Sequence, residues 1–205
     1  TRIKTACPLI PMWNNYYHWT AEVLTRLAGV EYYRRTTGQM PALVVPENMA
    51  SWMKESLRLL GYGPSNWVAP AAPAVGVDRL VVPSHPDPSP EECRWLRDRA
   101  HKSLDIDTAS DRNRIYISRA QATRRRIRNE AAVIETLAEW GFRSYQLEDL
   151  SVDDQIRLFA DAEVVVAPHG AGLANIIYSD DIKILELFGS ELKSTFYRIA
   201  RLMDH

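Results

Sequence analysis

Hydrophobic residues in the first half of the chain follow helical and strand spacing in turn. A helical stripe predicts a helix that ends at Gly29. The residues at this spacing are Thr20, Val23, Leu24 and Leu27. A second helix is predicted to end at Gly61. Short apolar runs predict strands at residues 42–47, 66–70 and 78–83.

A proline-rich segment over residues 83–90 interrupts this pattern and predicts a loop. Ser89 and Glu92 have the spacing of a capping box, which predicts a helix that runs to about His101. The polar residues 103–112 then predict a linker. We therefore place a domain boundary near residue 105, giving domains 1–104 and 105–205.

The second half alternates strands and helices more regularly. Strands are predicted at residues 114–118, 142–148, 162–168 and 183–188, and the apolar runs of the last two are expected to be buried. Between them, one helix is predicted from Asn129 to Gly141 and another after Ser151, which is its expected N-cap. Such alternation is typical of a parallel sheet with covered faces. The predicted fold class is α/β, with two Rossmann-like domains.

Composition and charge exclude several classes of protein. The 205 residues are 46% hydrophobic and 25% charged with a formal net charge of -1, so disorder and a global attraction to nucleic acid are not expected. Cys7 and Cys93 match no metal-ligand spacing and predict no disulfide framework. No apolar run approaches the roughly 20 residues of a membrane span, and the N-terminus does not have the pattern of a signal peptide. A cytoplasmic protein is expected, and the absence of an initial Met suggests a piece of a longer chain.

The most informative segment is VVVAPHGAGLANI at residues 164–176. A buried strand ends at Pro168, and a turn with Gly170 and Gly172 leads into a short helix. Backbone N–H groups and the helix N-terminus at this edge of a sheet favour a phosphate, to which His169 adds a donor. The alternative is that the two glycines serve only a tight turn.

An arginine-rich segment gives this hypothesis support. Arg119 comes directly after a predicted strand, and four further arginines follow it: Arg124, Arg125, Arg126 and Arg128. Guanidinium groups bind phosphate oxygens in pairs, so Arg119 with one of the others is suited to a diphosphate. A solvated basic cluster remains the alternative for the four later arginines.

A third motif is NNYYHWTAE at residues 14–22. His18 and Glu22 lie one helical turn apart and can present an imidazole and a carboxylate together, or form an ordinary surface pair. Glu186 is predicted at the same sheet edge as His169, either to bind a ribose hydroxyl or as an unremarkable strand-end residue. The acidic pairs Asp153–Asp154 and Asp180–Asp181 are explained by capping and solvation.

Taken in order, these motifs resemble glycosyltransferase family 61, which includes capsular polysaccharide and xylan-type transferases. The resemblance rests on residues 14–27, 114–130 and 150–188. It implies a GT-B arrangement, in which two Rossmann-like domains face a cleft, the second binding a nucleoside-diphosphate sugar and the first the acceptor. Family members carry more sequence at both ends, so the first domain is expected to be incomplete.

The resemblance also implies roles for individual residues. Glu22 would be the general base, with His18 as the orienting residue or the base itself, although many relatives have aspartate in place of Glu22. Asn15 and Tyr17 would contact the acceptor. The nucleotide-binding set would be Arg119, Arg125, Arg126, His169, Gly170, Ala171, Gly172, Leu173, Asn175 and Glu186. Aromatic residues near Tyr17 are explained by core packing as readily as by stacking on a sugar.

The function that the resemblance implies is inverting transfer of a sugar to a hydroxyl of a glycan acceptor, without a metal or other cofactor. A UDP-sugar donor and a role in capsule or cell-surface polysaccharide synthesis are expected. The expected partners are the donor and the acceptor, with no nucleic acid, and peripheral contact with polysaccharide assembly machinery at the inner face of the membrane. A sugar-nucleotide epimerase or hydrolase and a non-catalytic nucleotide-binding module are the alternatives.

Overall fold

The computed structural model describes residues 2–71, 74–83, 88–107 and 113–205. The chain divides into two compact units, Thr1–Ser103 and Leu104–His205. Residues 84–87 of the predicted proline-rich loop and 108–112 of the predicted linker lie outside the described residues. No helix among the described residues is long and apolar enough to cross a membrane.

A four-stranded parallel sheet forms the centre of the first unit, in the strand order β3-β2-β1-β4. Its strands are β1 (Arg2–Pro8), β2 (Ala42–Val44), β3 (Trp67–Val68) and β4 (Gly76–Leu80). Its helices are α1 (Leu27–Thr37), α2 (Ser51–Leu59) and α3 (Pro90–Leu104). The central strand β1 was not predicted, because polar residues fill its exposed first half and only its last residues enter the core.

The first helical segment is longer than predicted. It begins as a π-helix at His18–Val23, continues through a 3₁₀ turn at Leu24–Arg26, and ends with α1 at Thr37. Gly38, with φ +70°, ends it. The prediction that Gly29 ends this helix is wrong, because Gly29 serves a close contact: a Cβ there would lie 2.8 Å from the Cβ of Pro83.

The second unit is also built on a four-stranded parallel sheet, in the order β6-β5-β7-β8. Its strands are β5 (Asn113–Ile117), β6 (Phe142–Tyr145), β7 (Ala162–Pro168) and β8 (Lys183–Leu187). Its α-helices are α4 (Glu130–Ala138), α5 (Val152–Ala160) and α6 (Thr195–Met203), and a 3₁₀ helix spans Ala171–Tyr178. With two parallel sheets and helices between the strands, the predicted α/β, Rossmann-like fold class is confirmed.

Two expectations about the strands of this unit have different outcomes. The predicted burial of β7 is confirmed, since this strand pairs with β5 on one side and β8 on the other, and Val165 is 0% exposed. The predicted burial of β8 is wrong. This strand pairs only with β7, so it forms an edge of the described sheet, and Leu185 is 55% exposed.

Capping at the helix ends follows the sequence closely. Ser89 Oγ accepts from the Glu92 backbone N–H at 3.2 Å, and Glu92 Oε2 accepts from the Ser89 N–H at 2.8 Å, which confirms the predicted capping box. Ser151 Oγ accepts from the Asp154 N–H at 3.1 Å and caps α5 as predicted. These caps fix where the helices begin relative to the carboxyl ends of the strands.

Candidate functional site

In the second unit, the predicted phosphate-binding residues meet where the connections that follow β5 and β7 leave in opposite directions, β5 leading to β6 and β7 to β8. Strand β6 lies on one side of β5 and β7 on the other, and α/β folds bind ligands at the carboxyl edge of such a switch point. Arg119 follows β5, while His169 and Gly170 follow β7. A narrow crevice at this edge is lined by Arg119, Glu148, Gly170 and Gly172.

Arg119 and Gly170 lie against each other in this crevice. A Cβ added to Gly170 would overlap Nη1 of Arg119 and would lie 3.2 Å from its Cδ. Gly170 has φ -175°, which any residue adopts, so the absence of a side chain matters here for the position of Arg119 and not for backbone conformation. A Cβ on Gly172 would meet Leu147 Cδ1 at 2.5 Å. The space left by each glycine is therefore occupied by a neighbouring side chain, Arg119 at Gly170 and Leu147 at Gly172.

The guanidinium of Arg119 has fewer partners than its charge requires. Its Nη2 donates to the carbonyl oxygen of Arg124 at 3.2 Å, but its Nε is buried and has no hydrogen-bond partner among the described residues. Burial lowers the pKa of Arg119, the nearby charge of Arg125 lowers it further, and Glu148 partly opposes both effects. The half-buried Arg119 with the exposed Arg125 nearby favours binding of an anion.

His169 and Glu186 form a hydrogen-bonded pair beside this crevice. Nδ1 of His169 bonds to Oε1 of Glu186, and both side chains are about 10% exposed. The imidazole packs between two rings, with centroid distances of 5.5 Å to Phe188 and 5.2 Å to Phe196. Burial raises the pKa of Glu186, against the lowering effects of His169 and Arg125. The pair thus fixes the imidazole and leaves Nε2 available to a ligand.

A larger cavity of ≈ 820 Å³ adjoins this pair, between β8 and α6. Glu186, Phe188 and Phe196 are part of its lining, together with Tyr197 and Lys193. The volume lies in the range of small-ligand sites, and the mixture of rings with a few charged groups is typical of them. Sequence reasoning missed this cavity, because α6 was not predicted beyond a helical pattern at its end.

Other members of the predicted nucleotide set are placed differently. Leu173 and Asn175 are 1% and 0% exposed, and Asn175 donates to Oε1 of Gln155 at 3.0 Å inside the unit. Ala171, at the start of the 3₁₀ helix, is half-buried. Arg125 and Arg126 are exposed. The charge of Arg125 lowers the pKa of both Arg119 and Glu186, so Arg125 lies near both side chains. The structure therefore brings Arg119, Arg125, Gly170, His169 and Glu186 together and puts Leu173 and Asn175 in the core.

Glu130 is a further residue at this edge, which the sequence motifs did not indicate. Its Oε1 accepts from the hydroxyl of Tyr116 at 2.7 Å and from the backbone N–H of Arg119 at 3.3 Å. Glu130 is the first residue of α4, so it ties the start of that helix to the end of β5. This contact holds the backbone of Arg119 in place.

In the first unit, His18 and Glu22 lie together as their spacing predicts. Nδ1 of His18 is 2.8 Å from Oε2 of Glu22, and both side chains are about 20% exposed. They lie on the π-helix, a rare widening that often occurs at functional positions. Oδ1 of Asn15 accepts from the His18 N–H at 3.1 Å, and the Tyr17 ring lies edge-on to the imidazole at 4.9 Å. These four predicted residues therefore form one cluster.

The neighbouring aromatic residues are partly structural. Trp19 is 0% exposed and donates from Nε1 to Ser56 Oγ at 2.8 Å. The ring of Tyr16 packs on that of Trp52, with 5.4 Å between the ring centroids. Core packing explains Trp19, whereas Trp13 is exposed. Among the residues that the structure describes, no three His, Cys, Asp or Glu side chains are grouped so as to hold a metal ion.

Comparison with known proteins gives one family match. The family model described as Glycosyltransferase 61 matches residues 16–183, which include the His18–Glu22 pair, Arg119 and the His169 turn. No curated protein matches the chain. The match covers most of the chain and most of both clusters described above.

Two solved structures are similar in fold. One is the dodecameric iron-containing heptosyltransferase TibC in complex with ADP-D-beta-D-heptose, with a TM-score of 0.48 and 10% identity over 96% of this chain. The other is TibC from enterotoxigenic E. coli H10407, with a TM-score of 0.47 and 10% identity over 95% of this chain. This chain covers 61% and 60% of the lengths of those two chains.

Proposed function

Because the chain belongs to glycosyltransferase family 61, we propose that it transfers a sugar from a nucleoside-diphosphate sugar to a hydroxyl of a glycan acceptor. The observation that carries this proposal is the partly buried guanidinium of Arg119, which lies against Gly170 at the switch point and has an unpaired Nε. A diphosphate supplies the charge and the oxygen acceptors that this group lacks.

The donor diphosphate is bound by Arg119 and Arg125, with Arg126 as a further cation on the same loop. Gly170 allows the backbone to approach it, and the N–H groups at Ala171 and Gly172 face a ligand at the start of the 3₁₀ helix. Nε2 of His169 faces the diphosphate, since Nδ1 bonds to Glu186, and it donates to a phosphate oxygen when the imidazole carries both protons. Leu173 and Asn175 support this turn from the core, where Asn175 bonds to Gln155.

The nucleoside of the donor occupies the cavity of ≈ 820 Å³. Glu186 lines that cavity, and only its Oε1 bonds to His169, so Oε2 can accept from a ribose hydroxyl. Phe188 and Tyr197 offer rings for the base. A UDP-sugar is the donor we expect.

The reaction is a single displacement with inversion at the anomeric carbon. Glu22 removes the proton from the acceptor hydroxyl, and the resulting oxygen forms its bond to the anomeric carbon as the bond to the diphosphate breaks. The electron pair of that bond leaves with the nucleoside diphosphate, where Arg119 and Arg125 stabilise the growing charge. His18 orients Glu22, or is itself the base, and Asn15 and Tyr17 contact the acceptor.

Metal independence belongs to the same proposal, because two arginines and a histidine can take the part that a divalent cation plays elsewhere. We also propose a role in capsule or cell-surface polysaccharide synthesis. This reaction would take place in the cytoplasm, at the inner face of the membrane, with peripheral contact to the assembly machinery.

Calorimetric titration with UDP, GDP, CDP and their sugar conjugates, each with and without a chelator, tests the donor site. We expect one nucleoside diphosphate to bind equally in chelator. The matched variants are Arg119→Met and Arg143→Met, since Arg143 is exposed on β6 in the same unit. Affinity should fall only in Arg119→Met, and equal affinities would remove Arg119 from the site.

Product analysis then tests the reaction. Glu22→Gln should abolish transfer while it leaves nucleotide binding unchanged, and Glu47→Gln, an exposed residue of the same unit, should change neither. Retained transfer in Glu22→Gln would assign the base to His18. Free sugar or an epimer in place of a new glycosidic bond would contradict the proposed transfer.

A further inference from the structure

Arg26 lies at the carboxyl edge of the first sheet, next to the His18–Glu22 pair. It follows Glu22 by four residues along the same helical segment, and Glu22 influences its charge. Its Nη1 donates to the carbonyl oxygen of Pro8, the last residue of β1, over a long 3.5 Å. The guanidinium is therefore held where a ligand of a parallel sheet binds.

This guanidinium has too few partners for its burial. Nε of Arg26 is buried and has no hydrogen-bond partner in the described part of the chain. Burial lowers the pKa of Arg26, and the nearby charges only partly oppose this effect. A cation in such a place gains from an added anion, because its own hydrogen bonds to the protein are incomplete.

The charged groups around Arg26 do not supply that anion. Cys7 is close, but burial raises the pKa of its thiol to about 12, so it is neutral at physiological pH. Glu22 is the nearby carboxylate, and its Oε2 is 2.8 Å from Nδ1 of His18. No oxygen of Glu22 comes within 4 Å of Arg26 in the ion pairs of the described residues. The carboxylate of Glu22 is thus paired with His18 and not with Arg26.

We propose that Arg26 binds an anionic group of the acceptor, a carboxylate or a phosphate on a sugar, beside the His18–Glu22 pair. This inference rests on the proposed function, since it names the chemical class of acceptor for the same cluster. The guanidinium fork binds such a group through two parallel hydrogen bonds, which fixes the orientation of the sugar as well as its position. Arg26 is therefore a residue that determines acceptor specificity.

The experiment follows the Nε–H signal of Arg26 by ¹⁵N NMR in the intact protein, assigned by its loss in Arg26→Met. The ligands are sodium glucuronate for a carboxylate, glucose 6-phosphate for a phosphate, and glucose as the neutral control. The variants are Arg26→Met, Arg26→Lys, Arg119→Met and Arg35→Met, because Arg35 is exposed on α1 of the same unit. Backbone amide spectra report whether each variant is folded. In Arg26→Met and Arg26→Lys, which lack the Nε–H signal, the shifts of backbone amides next to residue 26 during the titration give the affinity.

We expect the two anions to shift the Arg26 signal and glucose to leave it in place. Apparent affinity should fall about tenfold or more in Arg26→Met, fall less in Arg26→Lys, and stay unchanged in Arg35→Met and Arg119→Met. The stronger of the two anions identifies the acceptor group as carboxylate or phosphate. Equal binding by Arg26→Met, or loss of binding in Arg119→Met alone, would overturn the inference.

The wild-type protein keeps the inference testable if Arg26→Met does not fold. A glucose response equal to that of the two anions, or no response to any of them, contradicts it. These measurements need no donor and no turnover, so their failure is distinct from a failure of the nucleotide titration. Anion binding without nucleotide binding would instead contradict the proposed donor site.

Discussion

At the scale of single residues, the most specific contact is between Gly170 and Arg119. Nothing in the backbone of Gly170 requires glycine, because its extended conformation suits any residue. What the missing side chain provides is space for a residue 51 positions earlier, Arg119, whose guanidinium lies where a Cβ would be. The glycine and the arginine therefore act as one unit in the proposed anion site.

We predict that Gly170→Ala lowers nucleotide affinity, because the added Cβ forces the guanidinium of Arg119 to shift. Gly189→Ala is the matched control, since a Cβ at Gly189 meets nothing within 4 Å. Calorimetric titration with the nucleotide that the wild type binds measures the effect. Nucleotide affinity of Gly170→Ala equal to that of Gly189→Ala would show that Arg119 does not depend on this space.

The sequence predicts local contacts better than distant ones, and the two histidine–glutamate pairs show why. His18 and Glu22 are four residues apart, so helical spacing alone predicts that they meet. His169 and Glu186 are 17 residues apart on neighbouring strand ends, and their contact depends on the register that pairs Ala167 with Glu186. The ribose role predicted for Glu186 did not foresee that one oxygen bonds to His169.

At the scale of secondary-structure elements, Gly29 shows that a glycine in a helical pattern can either end the helix or allow a close contact inside it. The pattern predicted a helix end, but the helix continues past Gly29. The missing side chain of Gly29 leaves room for the ring of Pro83. The stop is at Gly38, where the left-handed backbone conformation favours glycine. Only the position of a residue 54 places later in the chain distinguishes these two roles.

Gly29→Ala should therefore destabilise the protein, although alanine is the better helix former. The clash with the proline ring costs about 1–3 kcal/mol, against a propensity gain of about 1 kcal/mol. Urea unfolding measures the difference, with Gly63→Ala as the control because no atom lies within 4 Å of its Cβ position. A gain in stability for Gly29→Ala would mean that Pro83 moves away at little cost.

Two serines before helices provide a second test at this scale. Ser151 caps α5 through its side chain, whereas Ser194 precedes α6 without a side-chain cap hydrogen bond. Ser151→Ala should lower the free energy of unfolding by about 0.5–2 kcal/mol, and Ser194→Ala should lower it less. Urea unfolding of both variants checks the order, and equal losses would contradict the assigned cap.

Among the elements, the strongly patterned ones could be predicted and the weakly patterned ones could not. The apolar run of β7 and the helices with clear caps agree with the structure. Strand β1 was missed because its first residues are polar and partly exposed, and β8 was expected to be buried because its composition matches that of a central strand. Position within a sheet is a property of the pairing and not of the strand sequence.

At the scale of the whole molecule, both cysteines are sealed inside the first unit. Cys7 and Cys93 are 0% exposed, and burial raises the pKa of each thiol to about 12. Neither should react with Ellman's reagent at pH 8 in the native protein, and both should react in urea. Reaction of either thiol at the rate of a free thiol in native buffer would contradict this burial.

The same thiols predict how stability depends on pH. In the unfolded chain the pKa of each thiol is near 9.0, while in the folded protein burial raises that pKa to about 12. The unfolded state therefore binds fewer protons over this range, so the free energy of unfolding should fall as pH rises above 9. Urea unfolding of the serine variants Cys7→Ser and Cys93→Ser in this range should show a weaker dependence, and an unchanged dependence would assign the effect to other groups.

Because both thiols are buried in the first unit, the rate of their modification measures how often that unit opens. Their modification rate reports opening events in the first unit, whereas the proposed nucleotide site lies in the second. A ligand protects only the structure that opens together with its own site. If a nucleotide slows thiol modification, the two halves exchange between open and closed states as one cooperative body. If it does not, the first unit opens on its own timescale, and the acceptor cluster is exposed independently of the donor.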